Sequence, residues 1–425
     1  MSVIRPRPPA DPILFVAPAD APPPADRSVT LPADVPGSQQ AMAAVMEGPA
    51  RLLADYRMER PTRELYAMLQ LARRLRDHHD RVIVAAAAGE VAAVRAILET
   101  CCHPFHDQLP RADRGGRPRL SFTGSRFSND VDQGLLDLVA PPGRPPGGDL
   151  LDRWALLVMA TGVLPTSVAA SARLFLRALA AQAGLHTGTA IDRVATVGAP
   201  LEPLATALGC PTPFPVPAGS EGAGAVFTAV ALLPAAIAGV DVVRLLEGAV
   251  AMNMRFQEAP FDDNPVRRFL AGHPLGCPDE RRHRLTAADE RLAAVVEWFE
   301  AVQDATQIIA APAAQVRLVV EEPRRDLLTV PPPAASTPDG DGLPLDDIVG
   351  LSWTALAKRD AKDHSAPEIR LPRVDEHAIG QLLQMLLLVT RASPNPAANP
   401  RPDPGSVRVT SRAHDAGGRS MDGSV

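Results

Sequence analysis

The stretch DRVIVAAAAGEVAAVRAILETCCHPFH, residues 80–106, decides the fold class. Val82 to Ala85 form a continuous apolar run of the kind expected in a strand buried on both faces. Val91 to Thr100 place apolar residues at helical spacing. A strand, a short turn and a helix in that order open a βαβ unit, and with it a parallel sheet. The turn lies where a glycine loop at a helix N-terminus would cradle an anion. Here it offers one glycine, Gly89, followed by a carboxylate, Glu90. An acid in the first turn complements the helix dipole by about 0.3–1 kcal/mol. Glu90 is therefore expected to stabilise the start of the helix.

Working outward, further strands are predicted at 81–86, 119–122, 154–160, 193–197, 212–216, 316–320 and 368–371. Helical segments at Ser128–Val139, Thr166–Ala183 and Leu201–Leu208 separate most of them. Upstream, residues 50–80 carry a helical pattern broken near Pro61. AVFTAVALLPAAIAGV, residues 225–240, reads as a core helix, shorter than the roughly 20 residues that cross a bilayer. RRHRLTAADERLAAVVEWFEAV, residues 281–302, reads as one amphipathic helix packed on the body of the protein. The fold class is α/β, with parallel sheets flanked by helices, and ligands are sought beyond the carboxyl ends of the strands. That directs attention to the loops after residues 85, 123, 159 and 217. Residues 1–40 are Pro-rich and read as an extended, mobile lead, and 396–425 as a similar tail. Two folded units remain, 41–218 and 219–395, the second smaller, richer in helix and with fewer strands.

The totals exclude several classes. A net charge of −6 over 425 residues and only 4% aromatic residues give no footing for nucleic acid. Four cysteines without a CxxC pair fit a reducing, cytoplasmic setting. The proline-broken N-terminus has no signal-peptide core, and no segment reads as a membrane span. In CCHPFH, Cys101, Cys102, His103 and His106 are metal-ligand types. Adjacent cysteines point apart, however, and no second ligand pair stands at zinc spacing, so no metal is expected. EEPRRD, residues 321–326, reads as a turn with solvated ion pairs. The chain has no Walker loop, no GxGxxG and no Ser–His–Asp motif, and no cofactor is expected.

One stretch goes further. GSEGAGAVFTAVALLPAAIAGVDVVRLLEGAVAMNMRF, residues 219–256, resembles the glucose-6-phosphate isomerases, whose motif there runs G-G-R-[FY]-S-x-x-[ST]-x-x-G-L-L-P-A-A-x-A-G-I-D. CCHPFHDQL, WALLVMA, VVEEPRRD and IRLPRVDEHAIGQLLQMLLL stand in that family's order, and the resemblance spans roughly residues 45–410. It implies two sugar-isomerase (SIS) lobes and metal-free interconversion of glucose 6-phosphate and fructose 6-phosphate through an enediol, a step of glycolysis and gluconeogenesis. It also implies a dimer with active sites near the subunit interface.

The same alignment strips the chemistry. The first phosphate loop, G-I-G-G-S in the family, becomes Ala86-Ala87-Ala88-Gly89-Glu90. The second, S-K-S-G-G-T or S-K-T-F-T-T, becomes Ala160-Thr161-Gly162-Val163-Leu164-Pro165, with Thr166 and Ser167 nearby. G-G-R becomes Glu221-Gly222-Ala223, without the arginine. The segment carrying the proton-abstracting glutamate is missing between VEWFEAVQDAT and QVRLVV. The closing Q-P-G-V-E-x-x-K falls on Asp403–Thr410, where Pro404 and Gly405 match but the glutamate and lysine do not. The resemblance thus leaves Gly89, Thr161, Gly162, Thr166 and Gly222 as substrate-binding remnants, and His364 as the one candidate for ring opening. The family reaction is expected to be weak or lost. The alternative is a catalytically dead protein that binds a phosphorylated sugar, or that pairs with itself or with an intact isomerase subunit.

Overall fold

The computed structural model describes residues 12–17, 38–58, 63–141, 153–183, 192–271, 283–305, 314–322, 328–331, 349–353, 355–356 and 366–392. Its strands are β1 (Leu14–Val16), β2 (Arg81–Ala85), β3 (Arg119–Thr123), β4 (Trp154–Met159), β5 (Val194–Val197), β6 (His283–Ala287), β7 (Ala314–Glu322) and β8 (Glu368–Arg373). The helices are α1 (Ser38–Arg57), α2 (Glu64–His78), α3 (Ala88–Cys101), α4 (Asn129–Val139), α5 (Thr166–Ala183) and α6 (Glu202–Leu208). They continue with α7 (Ala229–Ala238), α8 (Val242–Glu258), α9 (Pro265–Ala271), α10 (Ala293–Ala305) and α11 (Glu376–Ala392).

The first sheet is parallel throughout, in the order β3-β2-β4-β5. Period-two alternation feeds both of its faces. Val82 and Val84 of β2, with Ala155 and Leu157 of β4, join the main core with α3. Ile83, Ala85, Leu156 and Val158 join Val168, Phe175 and Leu179 of α5 on the other face. Both faces are covered, which is why these strands read as unbroken apolar runs. Connections leave β2 towards β3 on one side and reach β4 on the other, so the strand order reverses at β2. A crevice at the carboxyl ends of β2 and β4 follows from that reversal.

The second sheet has the order β1-β8-β7-β6, with β6, β7 and β8 parallel and β1 antiparallel on the edge. Each sheet therefore has four strands, which corrects the expectation of fewer strands in the second lobe. β1 also corrects the reading of residues 1–40 as a mobile lead. Leu14 pairs with Arg370 and Val16 with Glu368, while Ile13 and Phe15 are buried. Three residues are too short for a sequence pattern to register, yet they cover the outer edge of β8. α1 likewise begins at Ser38, inside the expected lead, and packs on α8 and α11.

Residues 281–302 are not one helix. His283–Ala287 is a strand paired with β7, Leu285 is buried, and Asp289 Oδ1 accepts from Arg291 N–H at 3.0 Å in the turn before α10. Pairing along the β7 edge outweighs the helical pattern of these five residues. TPFPV, 212–216, supplies only a bridge between Phe214 and Val197. Pro213 and Pro215 remove the donors that a strand needs.

α7 is apolar all round and wholly buried, as a core helix must be. Thr228 caps its start by accepting from Val230 N–H, and Gly239, at φ +85°, ends it in the left-handed conformation. α8 and α11 cross at Gly248 and Gly380, where neither helix has room for a side chain. A Cβ on Gly248 would lie 2.0 Å from His377 O, and one on Gly380 would lie 2.0 Å from Leu245 O. At the amino ends of β2 and β3, the buried Asp80 carboxylate takes Arg114 at 2.6 Å, Arg119 at 2.5 Å and Arg111 at 3.3 Å.

Candidate functional site

Three turns converge at the carboxyl ends of β2 and β4. The first is the entry to α3. Its N-cap, Ala87, has no side chain to cap with, and the first amide to find a helix carbonyl is Val91 N–H, on Ala87 O. The amides of Ala88, Gly89 and Glu90 are left without intrahelical acceptors, as at any helix start. The second turn follows β4 and carries Thr161. The third, 219–224, leads into α7.

Gly89 lets the first and third turns touch. A Cβ there would stand 2.9 Å from Ala223 N and 3.2 Å from Gly222 Cα. Glu90 then ties the turns together. Its side chain is 4% exposed, and Oε1 accepts from Thr161 N–H at 3.2 Å and from Thr161 Oγ1–H at 2.8 Å. Thr161 Oγ1 in turn accepts from Gly222 N–H at 2.9 Å. Glu90 Oε2 is buried and meets no donor among the described residues. The carboxylate does stand in the first turn of α3, as expected. Its side chain nevertheless reaches across to β4 and does not cap its own helix, because Thr161 presents two donors together.

The structure thus brings Gly89, Thr161 and Gly222 of the five remnant residues into one hydrogen-bonded knot. Gly162 and Thr166 lie on the same loop as Thr161 and are exposed. Ser167 is engaged elsewhere, donating to Gly124 O at 2.7 Å. His364 and the segment 403–410 fall outside the described residues.

The sequence reading missed two side chains that brace the third turn. Buried Trp298 of α10 donates from Nε1 to Ala223 O at 2.7 Å. Arg391, in the last turn of α11, donates from Nη2 to Gly219 O at 2.7 Å, while Glu221 Oε1 accepts from Gly219 N–H at 3.0 Å. Burial lowers the Arg391 pKa from its ordinary value, and the Glu221 charge opposes that shift. A cation ending a long apolar helix was visible in the sequence. Its return to residue 219 was not, since it depends on how two lobes meet.

Chemically, the knot is an anion nest that is already filled. Helix amides and the Thr161 donors face a carboxylate supplied by the chain. Among the described residues no group of three or more His, Cys, Asp or Glu side chains is placed to hold a metal ion. Cys101, Cys102 and Cys210 are free thiols. No described helix is long and apolar enough to cross a membrane. A separate groove of about 680 Å³ lies at the far end of α3, lined in part by Cys102, His103, Phe105, His106 and Arg291.

No protein-family model matches the chain. It is 30% identical over 248 residues to a glucose-6-phosphate isomerase of Symbiobacterium thermophilum, covering 57% of this chain and 52% of that one. It is 27% identical over 214 residues to the glucose-6-phosphate isomerase of Acetivibrio thermocellus, covering 49% and 45%. The chain spans about half the length of these curated relatives. Among solved structures, a hypothetical protein of Thermus thermophilus superposes with a TM-score of 0.59 at 19% identity, covering 84% of this chain and 91% of that one. A glucose-6-phosphate isomerase of Chlamydia trachomatis superposes with a TM-score of 0.57 at 12% identity, covering 83% and 69%. The two superpositions speak to the fold.

Proposed function

The chain is a divergent member of the glucose-6-phosphate isomerase family, and from that premise we propose that it keeps the family's sugar cleft but carries out the family reaction weakly or not at all. The cleft would lie between an N-terminal unit over 41–218 and a C-terminal unit over 219–395, in a cytoplasmic protein of sugar-phosphate metabolism. One observation carries the reading: the Glu90 carboxylate occupies the turn where the resemblance puts a phosphate. At 4 Å and a surface-like dielectric, one such charge pair repels by about 4 kcal/mol, roughly three decades in affinity. Ala223 replaces the arginine of the family motif, and it is buried with its carbonyl bound to Trp298. Losing one donor of developing charge typically slows such chemistry by about 10²–10³. A coupled assay for fructose 6-phosphate tests the proposal. A rate at the buffer background is expected from folded protein, and turnover near that of an ordinary isomerase would overturn it.

A subunit-pairing role is the second reading, and the surface of α4 favours it. Phe127 is 74% exposed, and Val131 and Leu138 continue its stripe in the open. Light scattering is expected to give a dimeric mass that Phe127→Ser lowers. A monomer at micromolar concentration, for both proteins, would remove this reading.

A further inference from the structure

We infer that Glu90 sets the ligand specificity of the cleft: its carboxylate is the resident anion of the α3 turn, so that turn refuses phosphate and admits only a neutral or cationic end of a polyol. The inference deepens the functional reading above and rests on it for the identity of the cleft.

Two independent observations meet here. The first is the set of donors. α3 runs for fourteen residues, and its opening amides have no carbonyl of their own. Thr161 adds an amide and a hydroxyl from the neighbouring turn. Such a convergence of N–H and O–H groups at a helix start binds anions whatever their source. The second is Glu90 itself. It is more than nine-tenths buried, it takes both Thr161 donors on one oxygen, and its other oxygen has no partner among the described residues. A side chain placed only for stability would leave no buried oxygen unpaired, because that oxygen loses its hydration without replacement. Oε2 can be satisfied by a hydroxyl or an ammonium group, both of which donate. A phosphate offers it only charge of the same sign.

The space works in the same sense. Gly89 is packed against Ala223 N, so the turn cannot back away from an incoming group. Glu90 and an exogenous anion therefore compete for one position, and the tethered group wins by its effective concentration.

The experiment titrates inorganic phosphate into the full chain and into Glu90→Ala and Glu90→Gln, following heat and melting temperature. Inorganic phosphate is used because its binding needs no sugar and no turnover. The wild-type protein is expected to give neither heat nor a melting shift at millimolar phosphate, and Glu90→Ala is expected to bind at least about a hundredfold more tightly. Glu90→Gln keeps an acceptor for Thr161 and loses only the charge, so it folds and gains about tenfold or more. If Glu90→Ala does not fold, Glu90→Gln decides alone. Wild-type binding as tight as that of the variants would overturn the inference, and so would variants as blind to phosphate as the wild type. Isomerase turnover by the wild-type protein would instead overturn the functional reading and leave this result standing.

Discussion

At the scale of single residues, Thr161 does more than its exposed loop suggests, because it serves Glu90 and Gly222 at once. Thr161→Val keeps the shape and removes the hydroxyl, leaving a buried acceptor short of one donor and an amide without an acceptor. Denaturant unfolding is expected to report a loss of about 1–3 kcal/mol; a change below about 0.5 kcal/mol would mean that the knot holds nothing. Asp80 is a starker case. Asp80→Ala leaves three guanidiniums facing one another, two of them largely or fully buried, and about 3–5 kcal/mol of stability is expected to go. His79 supplies a pH dependence. Burial lowers its pKa from 6.5 to about 4, although its Nδ1–H donates to Leu75 O. The folded state therefore takes up its proton later than the unfolded state does. Stability is unaffected above about pH 6.5, falls as the pH drops towards 4, and levels off below, by up to about 3 kcal/mol in all. Melting curves across that window are expected to be steeper for the wild-type protein than for His79→Gln; equal slopes would count against it. Burial alone would raise the pKa values of Asp289 and Asp375. Their hydrogen bonds, to Arg291 and to Ala378 and Arg244, more than offset that and hold both below the ordinary value, so their contributions are lost only at lower pH.

Elements are where the sequence was most and least legible. β2, β4 and α5 were readable because each obeys one period throughout: unbroken apolar runs for strands covered on both faces, and a continuous helical stripe for Thr166–Ala183. β1 and β6 were not, since both are edge strands whose identity lies in their partners, β8 and β7. The candidate site divides in the same way. Gly89, Thr161 and Gly222 could be located as turns after strands, whereas the Glu90 bridge joins residues 90, 161 and 222 across two connections. No local pattern encodes such a bridge. The α8–α11 crossing gives this scale its sharpest test. Gly248→Ala or Gly380→Ala drives a methyl into a backbone carbonyl of the facing helix. A loss at or above the upper end of the roughly 1–3 kcal/mol typical of overpacking is expected in thermal unfolding. A wild-type melting temperature in either variant would show that the helices slide apart freely.

At the scale of the whole molecule, two four-stranded sheets share one continuous apolar core with α3, α7, α8 and α11 between them. A ligand that binds in the cleft of the folded chain must therefore raise the stability of both lobes together. One topological detail also constrains how the chain is made. Leu14 hydrogen-bonds in register with Arg370, so the earliest strand to leave the ribosome has no partner until nearly all of the described chain has been synthesised. Until then its two buried residues, Ile13 and Phe15, are exposed to the cytosol and to chaperones. Closure of the second sheet is thus an event of the completed polypeptide, governed by a contact of very high sequence separation and correspondingly slow.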